Sequence, residues 1–162
     1  MRSHIEQMPS AGGQMQFLLG DIGGTNARFA LLTGNQLGQV EHVMVADYPN
    51  VGDAITAFLS RQGTQPDIAV AVLAIAGPAC GDRCAITNSH WVIDSAELRA
   101  SFGFSTVRLI NDFEAVVLSL PQLTEADVFA IGGGKAQSGE PMFVLGPGTR
   151  SEERRVGKEC RL

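Results

Sequence analysis

Gln16-Phe17-Leu18-Leu19-Gly20-Asp21-Ile22-Gly23-Gly24-Thr25-Asn26-Ala27-Arg28-Phe29-Ala30-Leu31-Leu32 is two apolar runs joined by a short polar turn. The first run, Gln16 to Asp21, stops on an acid and reads as a buried strand; Ala27 to Leu32 reads as a second. Thr33-Gly34-Asn35 carries turn chemistry, and Leu37 to Asp47 is expected as a third strand. Together they predict an antiparallel meander. The next two segments decide the class. Val51, Ala54, Ile55, Phe58 and Leu59 recur at the spacing of one helical face, with Asn50 placed to cap it and Gly63 and Pro66 to end it. Asp67 to Ile75 is apolar nearly throughout, as expected of a central strand covered on both faces.

The pattern continues to alternate. Ala76-Gly77-Pro78 breaks the central strand, and Cys84 to Thr87 is expected to return as a short one. Asp94-Ser95-Ala96-Glu97 resembles a capping box for a helix ending at Gly103. Thr106 to Ile110 reads as a strand and Asp112 to Leu120 as a helix stopped by Pro121. Val128 to Ile131 and Met142 to Leu145 are expected as two more short strands. The order β-β-β-α-β-β-α-β-α-β-β predicts an α/β domain in which a meander leads a mixed sheet. It is not the regular βαβ alternation of a dinucleotide-binding domain.

Composition narrows the function classes. The 162 residues are 44% hydrophobic and 18% charged, enough to bury one core and not the profile of a disordered chain. A formal net charge of −5 argues against nucleic acid or an anionic membrane as the main partner. No apolar run reaches the ~18–20 residues of a membrane span. Met1 to Gln16 has no apolar signal-peptide core, and the first fifteen residues read as a flexible extension. The three cysteines are therefore expected as free thiols in a cytoplasmic protein. Cys80 and Cys84 flank Gly81-Asp82-Arg83, a hairpin-like turn, and no histidine or second cysteine pair joins them to suggest a metal.

Four stretches carry chemistry. In Gly20-Asp21-Ile22-Gly23-Gly24-Thr25, adjacent glycines let backbone N–H groups converge on an anion, and a strand-end aspartate can hold a hydrated Mg²⁺; the plainer reading is a hairpin turn. It is not a Walker loop, since G-x-x-x-x-G-K-[ST] occurs nowhere in the sequence and Gly132-Gly133-Gly134-Lys135 lacks that spacing. Asn111-Asp112 stands where a strand passes into a helix, a place for a catalytic carboxylate or for simple helix capping. Thr87-Asn88-Ser89-His90-Trp91 offers amide and hydroxyl donors beside the only tryptophan, fit for a sugar or an ordinary loop. Gly146-Pro147-Gly148-Thr149 could open a second phosphate loop.

In order and spacing these four stretches resemble the bacterial ATP-dependent glucokinases, of the sugar kinase–actin–chaperone ATPase superfamily. The resemblance runs from about Gln16 to Thr149 and implies an actin-like (ribonuclease H-like) ATPase domain. It implies that Gly20, Asp21, Ile22, Gly23, Gly24 and Thr25 form the first phosphate loop, with Asp21 organising the metal, and that Gly148 and Thr149 open the second. Asn88 and Asn111 would bind sugar hydroxyls, and Asp112 would bind the sugar and act as catalytic base. ATP and Mg²⁺ are the implied cofactors and glucose the implied substrate, with a homodimer as the assembly of an intact parent. A sugar-responsive regulator or a non-catalytic ATPase module on the same fold are the alternatives; the first usually adds an N-terminal helix-turn-helix, and the second leaves Asn88 and Asn111-Asp112 without a sugar.

The resemblance breaks after Thr149. The family continues with glycine there, whereas this chain runs Arg150-Ser151-Glu152-Glu153-Arg154-Arg155-Val156-Gly157-Lys158-Glu159-Cys160. Residues 150–162 hold five of the 12 basic residues. They resemble the translation of a sequencing-adaptor read-through and are expected to be a non-native tail, with a divergent natural tail as the alternative. On that reading the second domain is missing, and the chain as it stands is expected to be inactive.

Overall fold

A computed structural model describes residues 15–63, 67–77, 81–134 and 144–145. The meander forms as the sequence predicts: β1 (Gln16–Ile22) pairs antiparallel with β2 (Asn26–Thr33) over its whole length. The expected third strand is interrupted. It divides into β3 (Gln36–Leu37) and β4 (Glu41–Met44), and Val45–Asp47 forms a turn of 3-10 helix. Leu37 faces Leu32 while Glu41 faces Phe29, so four steps along this arm match three along β2. The extra residue lies at Gly38–Val40, and the Gly38 N–H closes onto the Leu31 carbonyl at 2.7 Å. An inserted residue of this kind bends an edge and spoils it as a template for further pairing.

The central strand β5 (Ile68–Ile75) lies parallel between β1 and β8 (Thr106–Asn111), giving the order β3-β2-β1-β5-β8. Helix α1 (Val51–Arg61) and helix α2 (Ser95–Phe102) supply buried side chains to one core with Leu18, Phe29, Leu73 and Val107 of the sheet. Phe58 of α1 meets Phe29 with ring centroids 5.8 Å apart. Burying a side chain of that size is worth about 1.5–3 kcal/mol. The other sheet face is only partly covered: Val70 and Val72 of β5 are half-buried while Ala71 and Leu73 are fully so. Ile68 and Ala74 on that same face are buried, so the central strand is covered on both faces, less completely on this one.

The caps follow the sequence closely. Asn50 accepts the Asp53 N–H at 2.9 Å to start α1. Asp94 accepts from Ala96 and Glu97 to start α2, which ends at Gly103 with φ +74, open to glycine because it has no Cβ. A small hairpin precedes it, β6 (Arg83–Ala85) with β7 (Val92–Asp94); β6 is shifted from the expected strand, and β7 has no counterpart among the expected elements. Helix α3 (Asp112–Ser119) runs into a 3-10 turn at Leu120–Gln122 around Pro121.

Three further expectations change. Val128–Ile131 is not a strand, and Val144 and Leu145 are neither helix nor strand. Phe129 and Ile131 are 89% and 92% exposed, and an apolar run that pairs with no strand among the described residues has none of them to hold it extended. Met142 and Phe143 lie outside the described residues. Cys84 is disulfide-bonded and not a free thiol; compartment arguments state what is usual for thiols, not the state of a particular one. The extension before Met15 and the tail after residue 149 also lie outside the described residues.

Replacing Asp94 with Ala removes two hydrogen bonds to the first turn of α2. The expected loss is about 0.5–2 kcal/mol, read as a lower urea midpoint with an unchanged slope.

Candidate active site

Parallel strands end at one edge, and here that edge gathers the chemistry. Ile22 pairs with Ile75, and Ile75 with Asn111, so β1, β5 and β8 finish level with one another. The Ala76 N–H donates to the Ile22 carbonyl at 2.9 Å and extends the join by one residue. Ligands of α/β sheets bind outside such carboxyl ends.

The loop after β1 is a tight hairpin, closed by the Gly23 N–H on the Asn26 carbonyl at 2.9 Å. Its plainer reading as a turn is therefore correct as local structure, and it does not exclude the other. Gly20 is buried where a Cβ would come within 2.6 Å of Leu73 Cδ2, so this glycine serves packing. Ile22 is wholly buried and presents only backbone to the edge. Asp21 is exposed and pairs across the ladder with Arg28, whose Nη1 donates to Oδ2 at 2.8 Å. Both side chains are about half exposed (52% and 53%), which makes this a weak tie of roughly 0–1 kcal/mol.

Asn111 is 6% exposed and bonded through both ends of its amide. Its Oδ1 accepts the Phe113 and Glu114 N–H groups, capping α3, while Nδ2 donates to the Gly77 carbonyl at 2.6 Å. One amide hydrogen is left for a ligand. Asp112 is half-buried; its Oδ1 accepts the Phe113 N–H at 2.8 Å, and Oδ2 has no partner among the described residues. Asn111 thus caps the helix, and Asp112 keeps one carboxylate oxygen without a partner among the described residues.

Asn88 is exposed and holds φ +61, the only non-glycine positive φ among the described residues. Its turn meets the first loop directly, since a Cβ on Gly24 would lie 2.9 Å from the Thr87 carbonyl oxygen. Trp91 does not face a ligand. It is 1% exposed, and its Nε1–H donates to the Tyr48 carbonyl at 3.0 Å. His90 Nε2 reaches the same oxygen at 2.9 Å, and because a carbonyl only accepts, that nitrogen carries a proton. Nothing in the sequence points to Tyr48, because a backbone acceptor leaves no mark on residue type. Gly148 and Thr149 lie outside the described residues.

A Mg²⁺ ion fits this edge in one way only. No group of three His, Cys, Asp or Glu side chains forms a metal site among the described residues. An ion carried on nucleotide phosphates needs just one or two carboxylates, and Asp21 keeps Oδ1 unpaired among the described residues. No helix among the described residues is long and apolar enough to cross a membrane.

A meander leading a parallel core, with a glycine hairpin and a strand-end Asn-Asp on its carboxyl edge, is the fold of the actin-like sugar kinases. A family model for glucokinase matches residues 18–150. The chain is 43% identical over 148 residues to a glucokinase of Sinorhizobium medicae, covering 88% of this chain and 43% of that protein. The crystal structure of a glucokinase from an Antarctic psychrotroph is similar with TM-score 0.68 at 32% identity, covering 76% of this chain and 40% of that one. A glucokinase from Balamuthia mandrillaris in complex with glucose is similar with TM-score 0.51 at 28% identity, over 69% of this chain and 33% of that one. The chain belongs to the glucokinase family. It spans about two fifths of the length of the curated relatives it matches.

Asn111→Asp keeps the cap but sets a carboxylate against the Gly77 carbonyl. We expect a loss of about 1–3 kcal/mol at neutral pH. The loss should shrink as the pH falls, because burial against a carbonyl raises the new carboxyl above its ordinary value of about 4, and the neutral acid can donate where the anion cannot. Urea midpoints measured from pH 7 down to 4 decide it; equal stability at pH 7 would show that the Gly77 bond carries no weight.

Proposed function

We propose that the protein to which these residues belong transfers the γ-phosphoryl group of ATP to the 6-hydroxyl of glucose. The observation that carries the reading is Asp112, a half-buried carboxylate with one oxygen engaged and one open, at the carboxyl edge of a parallel sheet. Phosphoryl transfer leaves a protein little covalent work, so alignment and charge stabilisation do most of it. The open Oδ2 of Asp112 accepts the hydroxyl proton as the sugar oxygen attacks phosphorus in line. The backbone bond from Phe113 to Oδ1 keeps the carboxylate from turning away. Asn111 gives its remaining N–H to a sugar hydroxyl, and the exposed Asn88 amide meets another.

On the nucleotide side, the Gly23–Thr25 hairpin faces the phosphates, with Gly148 and Thr149 assigned to a second loop. Asp21 would hold Mg²⁺, which when bound neutralises charge on the phosphoryl oxygens. Arg28 then keeps Asp21 in place from the neighbouring strand. The domain is assigned to residues 16–149, and residues 150–162 to a non-native tail. A cytoplasmic, homodimeric enzyme with no nucleic-acid or membrane partner is the proposed setting, in keeping with the net charge of −5.

The test is a chimera in which residues 16–149 replace the matching segment of the Sinorhizobium medicae glucokinase, 43% identical to this chain. It should form ADP in a glucose-dependent manner. Asp112→Asn in the chimera should lower kcat by about 10²–10⁴ while glucose binding persists. A variant keeping more than about a tenth of kcat would remove Asp112 from the base role. The 162-residue chain alone should give no turnover above a control, because it spans only about two fifths of the glucokinases it matches.

A further inference from the structure

Gly24 is a glycine for an unusual reason. Gly34, Gly63, Gly81, Gly103 and Gly132 all have positive φ, whereas Gly24 does not. What excludes a side chain there is another loop: a Cβ would lie 2.9 Å from the Thr87 carbonyl oxygen and 3.3 Å from that of Asn88. Both are backbone atoms in a turn set by the positive φ of Asn88, so neither can swing aside as a side-chain tip would. The two loops touch backbone to backbone.

A second route joins the same loops. The Val45 N–H donates to the Thr25 carbonyl at 2.9 Å. Three residues on, the Tyr48 carbonyl receives Trp91 Nε1–H and His90 Nε2–H. Trp91 is then tied back into its own loop, by its N–H on Ser89 Oγ at 3.1 Å and by its carbonyl under the Ile86 N–H at 3.2 Å. The path from Gly24 through Thr25, Val45, Tyr48, Trp91 and Asn88 closes on Gly24. Loosening any one contact of this ring removes a restraint on both loops.

We infer that Gly24 is a positioning residue: the ring couples the Gly23–Thr25 and Thr87–Trp91 loops, so that a phosphate anion at the first and a polyhydroxyl ligand at the second raise each other's affinity. A ligand at either loop restrains the ring, and the second ligand meets a site already ordered. The coupling between ligands rests on the functional reading above; the ring itself does not.

Hydrogen exchange on the full chain without ligand tests the ring. Gly24→Ala should raise exchange at the Val45, Ile86, Ser89 and Trp91 amides by more than about fivefold, and should shift the emission of Trp91, the single tryptophan. Gly23→Ala, whose Cβ would meet only the Asn26 carbonyl of its own hairpin at 3.3 Å, should leave the Ile86–Trp91 amides unchanged. Adding Asn88→Gly to Gly24→Ala lets the turn yield and should recover part of the protection. Unchanged exchange and emission in Gly24→Ala would overturn the inference. Where Gly24→Ala does not fold, His90→Phe removes one of the two hydrogen bonds that the ring makes to the Tyr48 carbonyl and should speed exchange at Val45; an unaffected Val45 overturns it equally. In the chimera, glucose affinity measured with and without a non-hydrolysable Mg-ATP analogue should differ by about 5–150-fold, and by much less with Gly24→Ala. Equal ratios in both sink the coupling, whereas a chimera that binds no glucose counts against the proposed function and leaves the exchange result to decide the ring.

Discussion

In a parallel ladder every strand ends at the same edge, and β5 lies parallel to β1 on one side and β8 on the other. Ile22, Ile75 and Asn111 consequently stand in one row, though they lie far apart in the chain. Had β1 and β5 run antiparallel, Asp21 and Asp112 would face opposite ends of the sheet. The pairing is held from one side by the apolar face of α1 and α2, which buries Leu18, Leu73 and Val107 against Ile55, Phe58 and Leu98. The Ile22–Ala76 backbone bond and the Asn111–Gly77 side-chain bond then fasten the loops to that edge.

Several residues at this edge have a structural task and an open valence together. Asn111 caps a helix and ties down Gly77, yet retains one N–H; Asp112 takes one backbone bond and leaves an oxygen open. Capping and ligand binding are therefore poor alternatives to set against each other. The cap aims the side chain, and an aimed side chain loses less freedom when a ligand arrives.

Helix α3 and the segment after it are less well covered. Helix α3 fully buries none of its side chains, and Val116 and Leu118 are exposed on it. Phe129 and Ile131 stand almost wholly in solvent. Soluble domains seldom leave such surface uncovered. The strand expected at Val128 to Ile131 fails after this helix, because a strand needs a partner edge as well as an apolar composition.

Local chemistry is legible in the residues alone. The meander, the caps at Asn50 and Asp94, the buried stripe of α1 and the glycine hairpin each depend on neighbours within a few positions, and spacing reports them. The interruption at Gly38–Val40 is not legible, since one inserted residue leaves the apolar pattern almost intact while shifting the pairing. Trp91 misleads for a related reason. Sequence places it beside polar residues, but its surroundings are Tyr48 and the core, brought up from elsewhere in the chain. Which glycine answers to conformation and which to a crossing backbone is likewise invisible in one dimension. Residue order determined the elements and their ends, because hydrogen bonds along helices and turns close over three or four residues. Only the tertiary structure decided which loops touch, because packing and strand pairing join residues by their distance in space, which the order of the chain does not contain.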